Sequence, residues 1–459
     1  MVFNGTNWQN NTFSILTLKG TGIWNITTNS STSNFYEPTN ISRNFTVYGY
    51  MNITDNSTNP TTIYAYESTV STCRVQDHHT SYMLNNITVE FYIDGTIIGT
   101  NNTDSTGYAS YGHQINTSGT HTITCNITNQ PNKYYYKGPE YERNISIYVQ
   151  PFPIAAVNPT NGTTIDRDSA SATDPDVILL NVTVPSYVPN GQNIEFTANL
   201  TDPTSIAGQT NIYLGNNTTT NGYAYLWYNA NSSYYAGNYT WWANSTAGTP
   251  NETRIITVKG AFNLKLASNS ANPYPNYTQN STPTITVNIT SNGPENTNQL
   301  NSTYFIQANT TYQNTTGNTY SIGLLYNGTN WQNNTFSILT LKGTGIWNIT
   351  ANTTGTYWYS NETNTTTTVY GYMNITENIT TPERIYAFET TSTTCRVQDQ
   401  HTGYDVNNAN VSFYRNGTLI GTNLTNSTGY ATITHQITTT GTYELICNVT
   451  NQPNIHSLS

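Results

Sequence analysis

Aspartate and histidine in close spacing are the raw material of metal sites and acid–base pairs, and Asp77, His79 and His113 offer that combination. The same three types return as Asp399, His401 and His435. The competing explanation is structural: an Asp closing a strand commonly bonds its own turn, and near-identical copies share every residue whether or not it acts. The acidic run Asp166-Arg-Asp-Ser-Ala-Ser-Ala-Thr-Asp174-Pro-Asp176 is a second candidate, because hard oxygens of this kind hold Ca2+. Its composition is equally that of a solvated loop. No Ser/His/Asp set, phosphate-cradling glycine loop or carboxylate pair stands out, so no catalytic residue, metal or cofactor is expected, and Ca2+ is kept only as the lesser alternative.

The cysteines are more informative. Cys73 and Cys125 lie 52 residues apart, as do Cys395 and Cys447. Equal spacing in two copies predicts one disulfide in each, and the absence of Cys-x-x-Cys or Cys-x-x-His speaks against zinc. Disulfides imply an oxidising compartment outside the cell.

Asparagine supplies the third chemistry. The chain holds 41 Asn-X-Ser/Thr sequons, where its composition alone would produce roughly 18. N-glycosylation is expected in the first part of the chain at Asn4, Asn10, Asn25, Asn44, Asn52, Asn86, Asn101, Asn116, Asn126 and Asn144. In the middle the acceptors are Asn161, Asn181, Asn199, Asn231, Asn238, Asn244, Asn276 and Asn288. Toward the end of the chain they include Asn327, Asn333, Asn348, Asn374, Asn410, Asn416 and Asn448. A sugar coat would solve a problem of composition. Only 8% of the residues are charged, against about 25% in an ordinary soluble protein, so something else must hold the chain in water. A net charge of −10 with 14 Lys+Arg excludes a nucleic-acid partner, which requires clustered basic residues.

The elements that would position these groups are strands. Val89-Glu-Phe-Tyr-Ile, His121-Thr-Ile-Thr-Cys, Ile194-Glu-Phe-Thr-Ala and Thr284-Ile-Thr-Val-Asn-Ile all alternate with period two between Asn, Gly and Pro turn signals. No window shows a capped helical period. The fold class is therefore all-β, a tandem array of sandwiches of about 100 residues each. The chain also repeats itself: Phe3–Thr27 returns at Tyr326–Thr350 with one Phe/Tyr difference, CRVQD at Cys73 returns at Cys395, and CNITNQPN at Cys125 is answered at Cys447. Boundaries follow at 1–49 (the C-terminal half of a domain), 50–149 (with a disulfide), 150–260, 261–371 and 372–459 (with a disulfide, lacking its last strand). Pro151, Pro153 and Lys259-Gly260 read as short, stiff linkers. No secretory signal opens the sequence and no stretch approaches the about 18 apolar residues of a membrane span, which predicts a piece of something longer.

Val89–Cys125 and Val411–Cys447 share V-x-F, an Asx-Gly turn at Asp94-Gly95 and Asn416-Gly417, then I-G-T, S-T-G-Y-A and G-T. This order resembles the prokaryotic Ig-like repeats of adhesins, invasin-type proteins and archaeal surface-layer or filament glycoproteins. The resemblance covers about a third of the chain. It implies Ig-like sandwiches and a surface location, and the family spans stalks, lattices and adhesins. With the sequon density it points to an archaeal source. Clustered aromatics, Trp227, Tyr228, Tyr234, Tyr235, Trp241 and Trp242, suit a sandwich core or an assembly contact, with glycan stacking as the alternative. The function expected is that of a structural subunit of an extracellular filament, sheath or surface layer, not an enzyme. It would be N-glycosylated and would associate with itself head to tail, through strand complementation. The alternative is the stalk of a cell-surface adhesin that binds glycans or neighbouring cells.

Overall fold

The computed structural model describes residues 1–3, 6–10, 12–14, 20–31, 37–167, 177–204, 206–267, 277–278, 284–304, 306–314, 319–335, 344–450, 452 and 457–458. The fold is all-β. At the start stand two small ladders, β1 (Val2–Phe3) with β2 (Trp8–Gln9), and the hairpin β3 (Gly22–Asn29) with β4 (Asn40–Val47).

Module 1 follows: β5 (Gly49–Asn59), β6 (Thr62–Tyr64), β7 (Ser68–Asp77), β8 (Thr88–Ile93), β9 (Thr96–Asn102), β10 (Tyr108–Gln114), β11 (Gly119–Ile127), β12 (Tyr135–Lys137) and β13 (Glu142–Gln150). They form two sheets, ordered β10-β7-β5-β12 and β6-β13-β11-β8-β9. The period-two pattern decides which face is buried. Along β7, Thr69, Ser71, Cys73, Val75 and Asp77 are buried while Ser68 and Val70 face solvent. The Asp94-Gly95 and Asn416-Gly417 turns have both residues at positive φ (48° and 81°; 46° and 76°), the conformation a two-residue hairpin needs.

Module 2 comprises β14 (Phe152–Asn158), β15 (Thr163–Asp166), β16 (Ile178–Thr183), β17 (Asn193–Asp202), β18 (Ile212–Thr218), β19 (Tyr223–Tyr228), β20 (Gly237–Asn244), β21 (Gly248–Pro250) and the first half of β22 (Arg254–Ala267). Module 3 takes the second half of β22, then β23 (Tyr277–Thr278), β24 (Ile285–Ser291), β25 (Gln307–Asn314), β26 (Thr319–Tyr326), β27 (Trp331–Asn333), β28 (Gly345–Gly355) and the first half of β29 (Trp358–Thr381). Module 4 has the rest of β29, with β30 (Thr390–Asp399), β31 (Asn410–Arg415), β32 (Thr418–Leu424), β33 (Tyr430–Gln436), β34 (Leu445–Val449) and β35 (Ser457–Leu458). One short helix, α1 (Thr297–Ser302), departs from the all-strand expectation. A capping box between Asn296 and Gln299 holds it, and Leu300 anchors it in the core.

The modules are not joined by linkers. Lys259-Gly260, read from the sequence as a linker, lies inside β22, and Pro151 alone separates β13 from β14. Because β22 and β29 each serve two modules, one hydrogen-bonded path runs from β18 in module 2 to β33 in module 4.

The hairpin β3–β4 and the strand β28 differ in burial. The sequence of β3 is that of β28 with Thr28 in place of Ala351, whereas β4 keeps only Thr46 and Val47 of Glu362–Val369. In module 3, Trp347, Ile349 and Ala351 are fully buried because β25 pairs with β28. Their counterparts lack such a neighbour among the described residues, and Ile26 is 50% exposed.

Candidate functional site

The disulfides form as the spacing implied. Cys73 on β7 is bonded to Cys125 on β11, and Cys395 on β30 to Cys447 on β34, each with Cα atoms 6.5 Å apart. Each bond ties the two sheets of its sandwich through the core. Cys73, Cys125 and Cys395 are buried and Cys447 is half-buried.

The aspartate–histidine set is not brought together. Asp77 Oδ1 accepts from the His79 and Thr80 amides (3.0 and 2.8 Å) and from the Thr80 hydroxyl, closing its own turn. Asp399 does the same with His401 and Thr402. His113 pairs with Thr69 at the far end of β7, eight residues and about 26 Å of strand from Asp77. Its Nε2 meets Ser71 Oγ at 2.9 Å, as His435 Nε2 meets Thr393 Oγ1 at 3.1 Å. Burial lowers both imidazoles below the ordinary histidine value, with Arg415 nearby adding to the effect at His435. Among the described residues no three His, Cys, Asp or Glu side chains are placed to share a metal ion. Of the acidic run, residues 168–176 lie outside the described residues, and Asp166 accepts a hydrogen bond from the Tyr359 hydroxyl.

Most sequon asparagines are presented on the surface. Asn10, Asn25, Asn44, Asn86, Asn101, Asn116, Asn144, Asn161, Asn231, Asn288, Asn327, Asn348, Asn374, Asn410, Asn416 and Asn448 are exposed. Asn126, Asn181, Asn199, Asn238, Asn244 and Asn333 are half-buried, and Asn4 and Asn276 fall outside the described residues. At Asn10 and Asn231 the sequon hydroxyl donates to the Asn Oδ1 (2.9 and 2.6 Å), leaving the Nδ2 that would carry a sugar free of that hydroxyl. Asn52 is the acceptor that the fold closes. It is 6% exposed, its Nδ2 meets His78 Nδ1 at 2.8 Å and its Oδ1 accepts from the Glu140 amide. A sugar there would displace those partners.

The aromatic cluster divides by strand face. Trp241 and Tyr228 are core residues, Trp241 lying against Phe196. Trp227 is 64% exposed and shares the outward face of β19 with Tyr223 and Tyr225. Tyr234 packs edge-on against Tyr228, and Tyr235 and Trp242 are half-buried.

What the sequence did not reveal is at the seams. Between modules 2 and 3 the Arg167 and Glu295 side chains, both fully buried, form an ion pair with Nη1 2.5 Å from Oε1. The guanidinium also donates to the Tyr234 carbonyl (2.6 Å) and to Asn292 Oδ1 (2.9 Å), while its face lies 5.2 Å from the Trp358 ring. Glu295 Oε1 accepts from the Ala236 amide at 2.7 Å. Gly260 and Gly293 make room: a Cβ on either would collide with the guanidinium. Trp358 in turn stacks on Phe262 with ring centroids 4.5 Å apart. The buried Tyr304 hydroxyl is raised far above the ordinary tyrosine value, by desolvation first and then by the Glu295 charge. Tyr357 bonds Asp202 across the same seam, and burial followed by that bond pushes its hydroxyl up to about 12. A cleft of about 500 Å3, lined by Asp202, Tyr304, Gln307 and Tyr357 among others, opens beside it. Between modules 1 and 2, Tyr66 packs on Phe152 and donates to Gln192 Oε1 at 2.6 Å, within one apolar core shared by both modules. Both seams place buried polar or apolar contacts between neighbouring modules.

No protein-family model matches the chain, and no curated protein matches it. Solved structures align with it at low identity. A tetra-tandem repeat from the extending region of a large adhesion protein aligns at 11% identity over 87% of this chain and 94% of its own, with a TM-score of 0.45. The Yersinia pseudotuberculosis adhesin InvE aligns at 14% identity over 46% of this chain and 60% of its own, with a TM-score of 0.28. The eight N-terminal Ig domains of Down syndrome cell adhesion molecule align at 12% identity over 92% of this chain and 57% of theirs, with a TM-score of 0.20.

Proposed function

We propose that this chain is a structural subunit of an extracellular filament, sheath or surface layer, N-glycosylated and joined head to tail with further copies of itself. The observation that carries the reading is the continuity of backbone between modules. β22 and β29 pass from one sandwich into the next without a break, so tension on the chain is borne by strands already held in two sheets. The buried Arg167–Glu295 seam and the shared core around Phe152 resist bending at the joints. Exposed sequons on every module would supply a hydrophilic coat that replaces charge. The disulfides suit an oxidising exterior.

Negative-stain imaging of the purified chain tests this, with intact mass measured on the same material before and after deglycosylation. Long uniform fibres or lattices and a mass above 50.9 kDa that falls on deglycosylation are expected. A mass at the bare-chain value removes the sugar coat. Dispersed beaded rods at all concentrations remove self-assembly and favour the second reading, an adhesin stalk. The row Tyr223, Tyr225 and Trp227 on the outward face of β19 favours that alternative, since three rings at alternate strand positions make a platform on which sugars stack.

A further inference from the structure

Modules 1 and 4 are copies, and where β7 passes into its following turn one residue changes its chemistry. CRVQDHHTSYM at Cys73–Met83 becomes CRVQDQHTGYD at Cys395–Asp405, so a thioether stands where the copy has a carboxylate. The backbone around the two is the same. Gln76 bridges Met83 as Gln398 bridges Asp405, and the Leu84 and Val406 amides donate to the Val75 and Val397 carbonyls at 3.2 and 3.1 Å. The arginines are posed alike as well, with Arg74 5.3 Å from the Tyr108 ring centroid and Arg396 5.3 Å from that of Tyr430.

What the arginine and the glutamine donate to is different. In module 4, Asp405 Oδ1 accepts from Arg396 Nε at 2.9 Å and from Gln398 Nε2 at 3.1 Å. In module 1, Met83 Sδ takes that place, two bonds from Cβ as Oδ1 is, and accepts from Arg74 Nε and Gln76 Nε2, each at 3.2 Å. A thioether is a weak acceptor. Arg396 is ion-paired with Asp405 and Glu377, whereas Arg74 forms no ion pair among the described residues. Exposure singles out the same sulfur. Of the four methionines, Met51 and Met373 lie in the cores, while Met83 is 36% exposed and Met1 65%.

We propose that Met83 is a site of oxidation by peroxide, and that Arg74 and Gln76 hold the resulting sulfoxide. The sulfur attacks one oxygen of hydrogen peroxide. An S–O bond forms as the O–O bond breaks, the transferred oxygen gives its proton to the departing hydroxide, and water leaves. The sulfur is oxidised by two electrons and the peroxide reduced by two. The product oxygen carries partial negative charge and accepts strongly, with two donors already aimed at the sulfur. The unbranched, exposed side chain withdraws by rotation, and the oxygen takes the position that Asp405 Oδ1 holds in module 4. Oxidation thereby gives module 1 the polar link that its copy has by sequence. The core is left alone, because the buried contact of this segment is made by Leu84. The site needs no second copy of the chain and no sugar, so it stands apart from the reading above.

Brief treatment of the full chain with dilute hydrogen peroxide, followed by peptide mapping and amide exchange, tests it. Met83 should gain one oxygen at least about tenfold faster than Met51 or Met373, since susceptibility follows exposure. Protection of the Asp77 and Leu84 amides, which close this turn, should rise about three- to tenfold on oxidation, the worth of one improved hydrogen bond. Met83→Asp should show the raised protection without peroxide and gain nothing from it, and Met83→Leu should stay at the unoxidised value throughout. In Arg74→Gln the gain on oxidation should disappear. The two Met83 variants decide the matter by themselves if Arg74→Gln does not fold. Oxidation of Met51 as fast as Met83, unchanged or reduced protection in the oxidised chain, or an equal gain in Met83→Leu or Arg74→Gln would each overturn the proposal.

Discussion

Replacing Arg167 with methionine should cost about 3–5 kcal/mol and loosen the seam between modules 2 and 3, the largest effect expected of any single substitution here. The guanidinium and its partner are wholly withdrawn from water. Methionine would fill much of the volume, so the loss would come from leaving the Glu295 carboxylate buried without its counter-charge. Glu295 Oε2 already lacks a hydrogen-bond partner among the described residues, so only neutral donors to Oε1, the Ala236 amide and the Tyr304 hydroxyl, would remain. Arg167→Lys should recover little, because an ammonium cannot reach the Tyr234 carbonyl, Asn292 and Glu295 as the planar fork does. The double variant Arg167→Met, Glu295→Gln should recover a substantial part, since it removes the stranded charge. Denaturant unfolding combined with amide exchange across β20, β22 and α1 reads the result. A loss below about 1 kcal/mol for Arg167→Met would mean the pair is not what fixes the seam.

Such a lock was invisible in the sequence for a physical reason. Arg167 and Glu295 are 128 residues apart, and nothing local marks either as buried. In a chain with 8% charged residues a lone charge gave only a faint hint. The all-β class was legible because alternation of apolar residues is a property of single strands, and the Asp94-Gly95 and Asn416-Gly417 turns because positive φ selects their residue types. The paired cysteines were legible through repetition. Continuity between modules was misread, since Lys259-Gly260 looks like a turn. Gly260 serves instead to admit the guanidinium and the Trp358 ring. The helix α1 escaped because six residues show no periodicity, although Asn296 and Gln299 spell its capping box. Asn52 and Asn374 share the motif Asn-Ile-Thr, yet one is buried and the other exposed. Asn52 is closed by His78 and the Glu140 segment, 26 and 88 residues along the chain, and no local motif announces either partner.

Removing the module 1 disulfide as Cys73→Ala with Cys125→Ala should lower the stability of that module by about 4 kcal/mol, the chain-entropy value for a closed loop of 52 residues. The copies supply an internal control. Module 4 contains an equal loop, so Cys395→Ala with Cys447→Ala removes the same constraint from the unfolded chain. The folded states differ, however. Cys73 and Cys125 are both buried, whereas Cys447 lies half-buried on β34. Thiol–disulfide exchange requires a thiolate to reach the sulfur in line, so access separates the two bonds where loop length does not. A mild reductant should therefore open Cys395–Cys447 well before Cys73–Cys125, and alkylation followed by peptide mapping at timed intervals reads the order. Simultaneous reduction of both bonds would show that this difference in burial gives no protection.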